Sequence, residues 1–236
     1  MHSIRLLPLV IAGTLMVGCQ PGASAPPVAA TAIADASASQ IPTPAPTSGA
    51  VPAPASSSDK QASMRAFQSF VPAQHRLVDA VQGALTSTGT QGAVLIVEPE
   101  NATPARLGEG AGRQVLVIAP DASGALRVMG RNGRIVPCAT CGGMAGDPYG
   151  YTRIASGGFT VAVGGGSRER WSADYTFAYE PAAKRFVVDT VTRRVVDTLT
   201  DERSETSADA QDLGVITFED FDPAQLGDEP TLEAAN

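Results

Sequence analysis

The sequence predicts a mainly β fold: a single antiparallel meander, a curved sheet or a small sandwich, with one short N-terminal helix and a disordered linker before it. Three observations lead there. Short apolar runs bounded by Gly and Pro recur from residue 77 onward. Phe159, Val161 and Val163 alternate with smaller residues, and Trp171, Ala173, Tyr175, Phe177 and Tyr179 then share one face of a period-two pattern. Residues 20–58 are dominated by Pro, Ala, Ser, Thr and Gly, with no aromatic residue and Asp35 as the only charge. Such a stretch buries too little apolar surface to offset the entropy of ordering it.

Taken in order, Asp59 suits the N-cap of a short helix that carries Met64, Phe67 and Phe70 on one side and stops at Pro72. Strands are expected over 77–81, 93–97, 114–119, 126–129 and 134–136. Asp121-Ala122-Ser123-Gly124 reads as a hairpin turn. The aromatic-bearing strand turns at 180–184 and returns along 186–196. These segments divide the 236 residues into a signal peptide (1–18), a lipidated cysteine with linker (19–58), one β-rich globular domain (59–226) and an acidic disordered tail (227–236). The folding part is long enough for one core and too short for two large domains.

The first residues set the address. A basic opening ending at Arg5 precedes an apolar stretch over 6–17, closed by Gly18-Cys19. That stretch is shorter than the roughly 20 residues a spanning helix needs. Leu15-Met16-Val17-Gly18-Cys19 resembles the bacterial lipobox, with Met16 in place of the usual leucine. The resemblance implies lipidation of Cys19 (diacylglycerol, palmitate-type chains) and anchoring at the cell envelope. Gln20 is not the aspartate that retains such proteins at the inner membrane, which favours the outer membrane, facing the periplasm. An ordinary signal peptide with an incidental cysteine is the alternative. A linker of about 40 residues spans roughly 35 Å as a coil and somewhat over 100 Å when extended. It suits a domain held away from its anchor.

Charge narrows the partners. The net charge is −7 and the pI about 4.8, so the electrostatic footprint of a nucleic-acid binder is missing. Beyond residue 197 acids dominate and Arg203 is the only base. Solvated surface is the plain reading of such a run, and a cation or basic-partner site the sharper one.

From Phe67 onward the chain resembles a group of uncharacterised exported bacterial proteins, often lipoproteins. The residues that carry the resemblance are Phe70-Val71-Pro72, the stretch 83–97, Cys138-Ala139-Thr140-Cys141-Gly142-Gly143, Gly146-Asp147-Pro148 and Gly165-Gly166-Ser167 leading to Trp171 and Tyr175-Thr176-Phe177. It implies an architecture and no activity. In that group the loop before the Ala-Val strand is aspartate-rich and resembles a calcium loop. Here Ala84, Thr86, Thr88 and Gly92 stand in those places, so a plain β-turn is expected, because calcium needs several oxygen ligands, normally including carboxylates. Glu169 stands where the group carries an aromatic residue.

The chemistry candidates are few. Cys138 and Cys141 are the only cysteines besides Cys19, and an oxidising compartment favours their pairing as a structural disulfide. A redox pair would need a low-pKa thiolate, commonly at a helix N-terminus, and no helical sequence comes after the motif. Zinc would need four ligands, and His75 is the only histidine after Cys19. The glycine clusters at 142–146 and 164–166 lack the Gly-Lys-Ser/Thr ending that cradles phosphate. Ser57-Ser58-Asp59-Lys60 matches a Ser-x-x-Lys pattern without its companion motifs. Trp171, Tyr175, Phe177 and Tyr179 form a stripe that is either the inward face of a strand or, outward-facing, a binding surface for sugar rings or a partner strand. No cofactor, metal site or catalytic constellation is expected. Two functions stand: an envelope domain that binds another protein or a wall polymer, and a periplasmic thiol-disulfide redox factor using Cys138 and Cys141.

Overall fold

A computed structural model describes residues 57–100, 106–155 and 157–232. The signal peptide, Cys19 and the linker up to residue 56 lie outside the described residues, as do 233–236. The fold is mainly β, as the sequence predicts. Two antiparallel meanders succeed one another in the chain. The first comprises β1 (His75–Ala84), β2 (Gln91–Pro99), β3 (Arg113–Pro120) and β4 (Leu126–Val136). The second comprises β5 (Tyr149–Ala155), β6 (Gly158–Gly166), β7 (Glu169–Glu180), β8 (Arg185–Asp197) and β9 (Arg203–Asp209). Their inner faces share one core, in which Val94, Ile96, Val115 and Val117 meet Phe159, Val161, Phe177 and Val188. Of the three architectures the sequence allowed, this is the sandwich.

The helix α1 (Ser57–Phe67) covers the other face of the first sheet. It begins two residues earlier than predicted, which places Asp59 inside its first turn rather than at the N-cap. Phe67, with Met64, Phe70 and Val71, packs on Ala93, Leu95, Val97, Leu116 and Ile118. Strand β2 is therefore buried on both faces, which explains why it reads as a continuous apolar run. Lys60, from the Ser-x-x-Lys stretch, pairs with Asp79 at 3.1 Å and ties the helix to β1.

Two expectations change. The strands predicted at 126–129 and 134–136 are one strand, β4, running through the Gly- and Asn-containing stretch read as a break. Asn132 is buried there, and its Nδ2 donates to the Phe218 and Phe221 carbonyls at 2.6 and 2.7 Å. That bond brings in the second change, a C-terminal segment that completes the core. Residues after the short helix α2 (Ala210–Leu213) lie along β8, with Val188 N–H donating to Ile216 and Phe218 N–H to Phe186. Phe218 and Phe221 then enter the interior, edge-on to Phe177 at 5.2 and 5.4 Å. Such aromatic pairs contribute about 0.5–1.5 kcal/mol each beyond area burial.

The opposite flank is closed where β1 meets β5. Tyr149 Oη donates to Asp79 Oδ2 at 2.7 Å and lies 3.0 Å from Thr152 Oγ1. Burial pushes the Tyr149 phenol well above its ordinary value, so it stays a proton donor to the Asp79 carboxylate. Strands β5 and β9 were not foreseen. Strand β9 is polar and largely exposed, without the apolar alternation that marks a strand.

Candidate functional site

Three glycine-containing segments, 138–143, 146–148 and 165–167, meet at one end of the sandwich. Cys138 and Cys141 are disulfide-bonded across a turn in which Cys141 N–H donates to the Cys138 carbonyl at 2.9 Å. Thr140 anchors the loop before β3, accepting from Gly108 N–H at 2.9 Å through its carbonyl and donating from Oγ1 to Glu109 O at 3.1 Å. After the pair comes a three-residue 3-10 turn, Gly143–Ala145, so no long helix points its N-terminus at the sulfurs. Gly142 is held on both sides: its N–H donates to Gly146 O, and its carbonyl accepts from Gly166 N–H at 2.9 Å. A Cβ at Gly142 would collide with the Gly146 carbonyl oxygen.

The Gly-Asp-Pro segment is locked from the other side. Arg113, 2% exposed, donates through Nη1 and Nη2 to both Asp147 oxygens at 2.5 and 2.7 Å, and through Nε to Glu98 at 2.6 Å. Arg76 pairs with the remaining Glu98 oxygen. Burial opposes the charge on Asp147, but hydrogen bonds from Arg113 and from Tyr149 N–H outweigh it and hold the carboxyl below its ordinary value. A charged guanidinium with every carboxylate oxygen answered is a mechanical joint between β2, β3 and the 137–148 loop.

The Gly-Gly-Ser stretch serves Trp171. Gly165 lies opposite Trp171 in the β6–β7 ladder, and a Cβ there would come within 2.7 Å of the indole Cζ2. One side of the ring is thus laid on bare backbone. Trp171 is half-buried, Tyr175 5% exposed and Phe177 fully enclosed. The stripe is therefore a gradient. Phe177 is core, Tyr179 packs against Phe186 at 5.2 Å toward the other end, and only Trp171 and Tyr175 reach a cavity. Of the two readings the sequence left open, the stripe takes the inward one, with Tyr175 and Phe177 buried and Trp171 half-buried at its end.

That uncovered end is a cleft of about 380 Å³, lined by Trp171, Tyr175, Arg193 and Glu229 with Pro230 and Leu232. The same four side chains border a second recess of about 220 Å³ reaching Arg134, Pro137 and Pro223. Arg193 stands across from Ala173 in the ladder, in the inward row between Val191 and Val195. Its Nη1 and Nη2 donate to the Gly227 and Asp228 carbonyls at 2.8 and 2.7 Å, which lays the start of the acidic tail along the cleft. The boundary read at 226 thus moves outward to 228 at least. Arg194, by contrast, is ion-paired with Asp174 and Glu205. Burial raises the Tyr175 phenol to about 12, with Arg193 lowering it and Glu229 raising it.

His75, the only histidine after Cys19, neighbours the Ala73 carbonyl and the Gln114 side chain. Among the described residues no group of three or more His, Cys, Asp or Glu side chains is placed to share a metal ion. The turn that replaces the aspartate-rich loop is a hydroxyl-pinned one, with Thr86 Oγ1 accepting from Thr90 N–H at 3.1 Å and lying 2.9 Å from Thr88 Oγ1. Arg193, Glu229 and the Arg113 joint were not singled out from sequence. Only Arg193 had a local signal, as a charge in the inward row of a strand. No protein-family model, curated protein or solved structure matches the chain.

Proposed function

We propose that this chain is an envelope lipoprotein, anchored through lipid on Cys19, whose β sandwich binds a wall polymer or another envelope protein and does not catalyse. The observation that carries the binding half is the cleft itself. A half-buried aromatic platform, a cation and a carboxylate meet where the inner face is uncovered, and an Arg-locked, disulfide-clipped loop stands beside it. Convergent polar groups on a rigid apolar floor are the ordinary features of a recognition site. The redox reading is weaker, because the cysteine pair sits in a β-turn without a helix N-terminus to stabilise a thiolate. The lipid half rests on the signal-like start and Cys19, and the outer membrane is favoured by Gln20.

Three measurements test it. Cys19→Ala should abolish labelling by a palmitate analogue, and equal labelling of both chains would end the anchoring claim. The unlipidated chain beginning at Gln20 should co-sediment with purified envelope fragments. Turnover of dithiol substrates, lost in Cys138→Ser, would promote the redox reading instead.

A further inference from the structure

Arg193 and Glu229, like Glu169 on the same lining, differ from the paired charges near the cleft. Arg194 is neutralised by two carboxylates, and Arg168 by Asp197. Among the described residues Arg193 has no carboxylate partner and Glu229 no ion pair. The guanidinium is oriented by two backbone carbonyls, which fix its plane while leaving other N–H donors uncommitted. Glu229 is exposed at the rim and offers acceptors only. Trp171 lines the same cleft, one side of its ring laid on Gly165.

A flat aromatic floor with one donor and one acceptor at its edge selects for shape as well as charge. The lining carries both signs, Arg193 against Glu229 and Glu169, which disfavours a polyanion or a polycation. A ligand with an apolar face and a rim of neutral donors and acceptors satisfies all three groups at once, and a pyranose ring has that form. A proline-rich peptide would want successive exposed aromatic ridges, and Tyr175 is too deeply buried to supply the second. Resting on the binding reading above, we propose that the cleft takes a sugar ring of the wall glycan, stacked on Trp171 with its polar edge between Arg193 and Glu229.

Trp171 is the chain's single tryptophan, so its emission reports directly on this site. The unlipidated chain beginning at Gln20 is titrated with a peptide-free oligosaccharide of N-acetylglucosamine and N-acetylmuramic acid, with a synthetic proline-rich peptide in parallel. Binding to purified sacculi is measured by sedimentation. The oligosaccharide should change the emission saturably. Glu229→Gln should weaken its affinity about tenfold, as loss of a charge-assisted hydrogen bond does, with an unchanged melting temperature. Trp171→Phe, followed by calorimetry, should weaken it too while preserving the fold. An unchanged affinity in Glu229→Gln overturns the polar-edge assignment. A silent oligosaccharide with sacculi still bound overturns the glycan cleft and leaves the binding function standing. Saturation by the peptide alone makes the cleft a peptide groove. Failure to bind sacculi, oligosaccharide and peptide alike removes the cleft and its proposed function together.

Discussion

The two sheets are built from similar strands and put to different uses. In the first, β2 and β3 are buried on both sides, by α1 and by the second sheet, and their side chains are almost uniformly aliphatic. In the second, the outer face is a polar ladder in which Thr160 meets Thr176 at 3.0 Å and Arg194 meets Asp174 at 2.8 Å. Its inner face carries the aromatics and, at one end, the cleft. A sheet enclosed on both faces has nowhere to present a ligand. A sheet enclosed on one, and incompletely at its end, does. The first sheet carries the Arg113 joint, and the second carries the cleft to which binding is proposed.

The sharpest way to break that comparison is to cut a large side chain from each core. Phe177→Ala should cost about 3–5 kcal/mol, and because Phe177 touches Phe159, Phe218 and Phe221 it should loosen both sheets together. Leu95→Ala, on the helix side, should cost about 2–5 kcal/mol but release α1 first. Denaturant melts give the sizes, and amide exchange tells the two apart. Equal exchange patterns would mean that the two cores are one cooperative unit.

Arg113→Ala should be comparably damaging, about 3–5 kcal/mol, because it takes from the buried Glu98 one of its two cation partners and from Asp147 its cation. If the joint matters only mechanically, the Trp171 emission should stay native in the fraction that folds. Removing the disulfide with Cys138→Ser and Cys141→Ser together should cost about 2 kcal/mol, the chain-entropy value for so short a loop. A much larger loss would show that the turn, beyond its own closure, holds the loop over residues 106–112.

Acid should produce the smallest effect. Asp147 and Asp121 have folded pKa values below their unfolded ones: Asp147 through Arg113, and Asp121 down to about 2 through hydrogen bonds from Ser123. Their stabilisation is thus fully present above the unfolded value near about 4 and lost as pH falls through the folded one. Melting temperature should decline from about pH 4 toward about 2, and Asp147→Asn should flatten the decline. An unaltered acid limb in that variant would place the titrating groups elsewhere.

Much of this was legible in the residues because it depends on short-range pattern. Period-two alternation identified β6 and β7 and grouped Trp171, Tyr175, Phe177 and Tyr179 on one face. The 121–124 turn forms as expected, with Asp121 accepting from Ser123 and Ala125 N–H. The mainly β class, with one short N-terminal helix, comes from the same patterns. Strand β9 escaped because an exposed edge strand needs no apolar side, and β4 was split because its buried Asn132 reads as a turn residue until its partners are known.

The tertiary structure decided which surface faces which. Alternation says that Trp171, Tyr175 and Phe177 share a side, and only the packing of the first sheet, ending short of Trp171, makes one residue core and another cleft wall. Phe218 and Phe221 lie in a stretch whose acids advertise solvent, yet Asn132 draws them inside across more than eighty residues of sequence. The site has the same origin: Gly165, Trp171, Arg193 and Glu229 come from three strands and the tail. Chemistry assembled across a sheet leaves no spacing in the sequence, because its geometry is set by hydrogen-bond register rather than by chain distance.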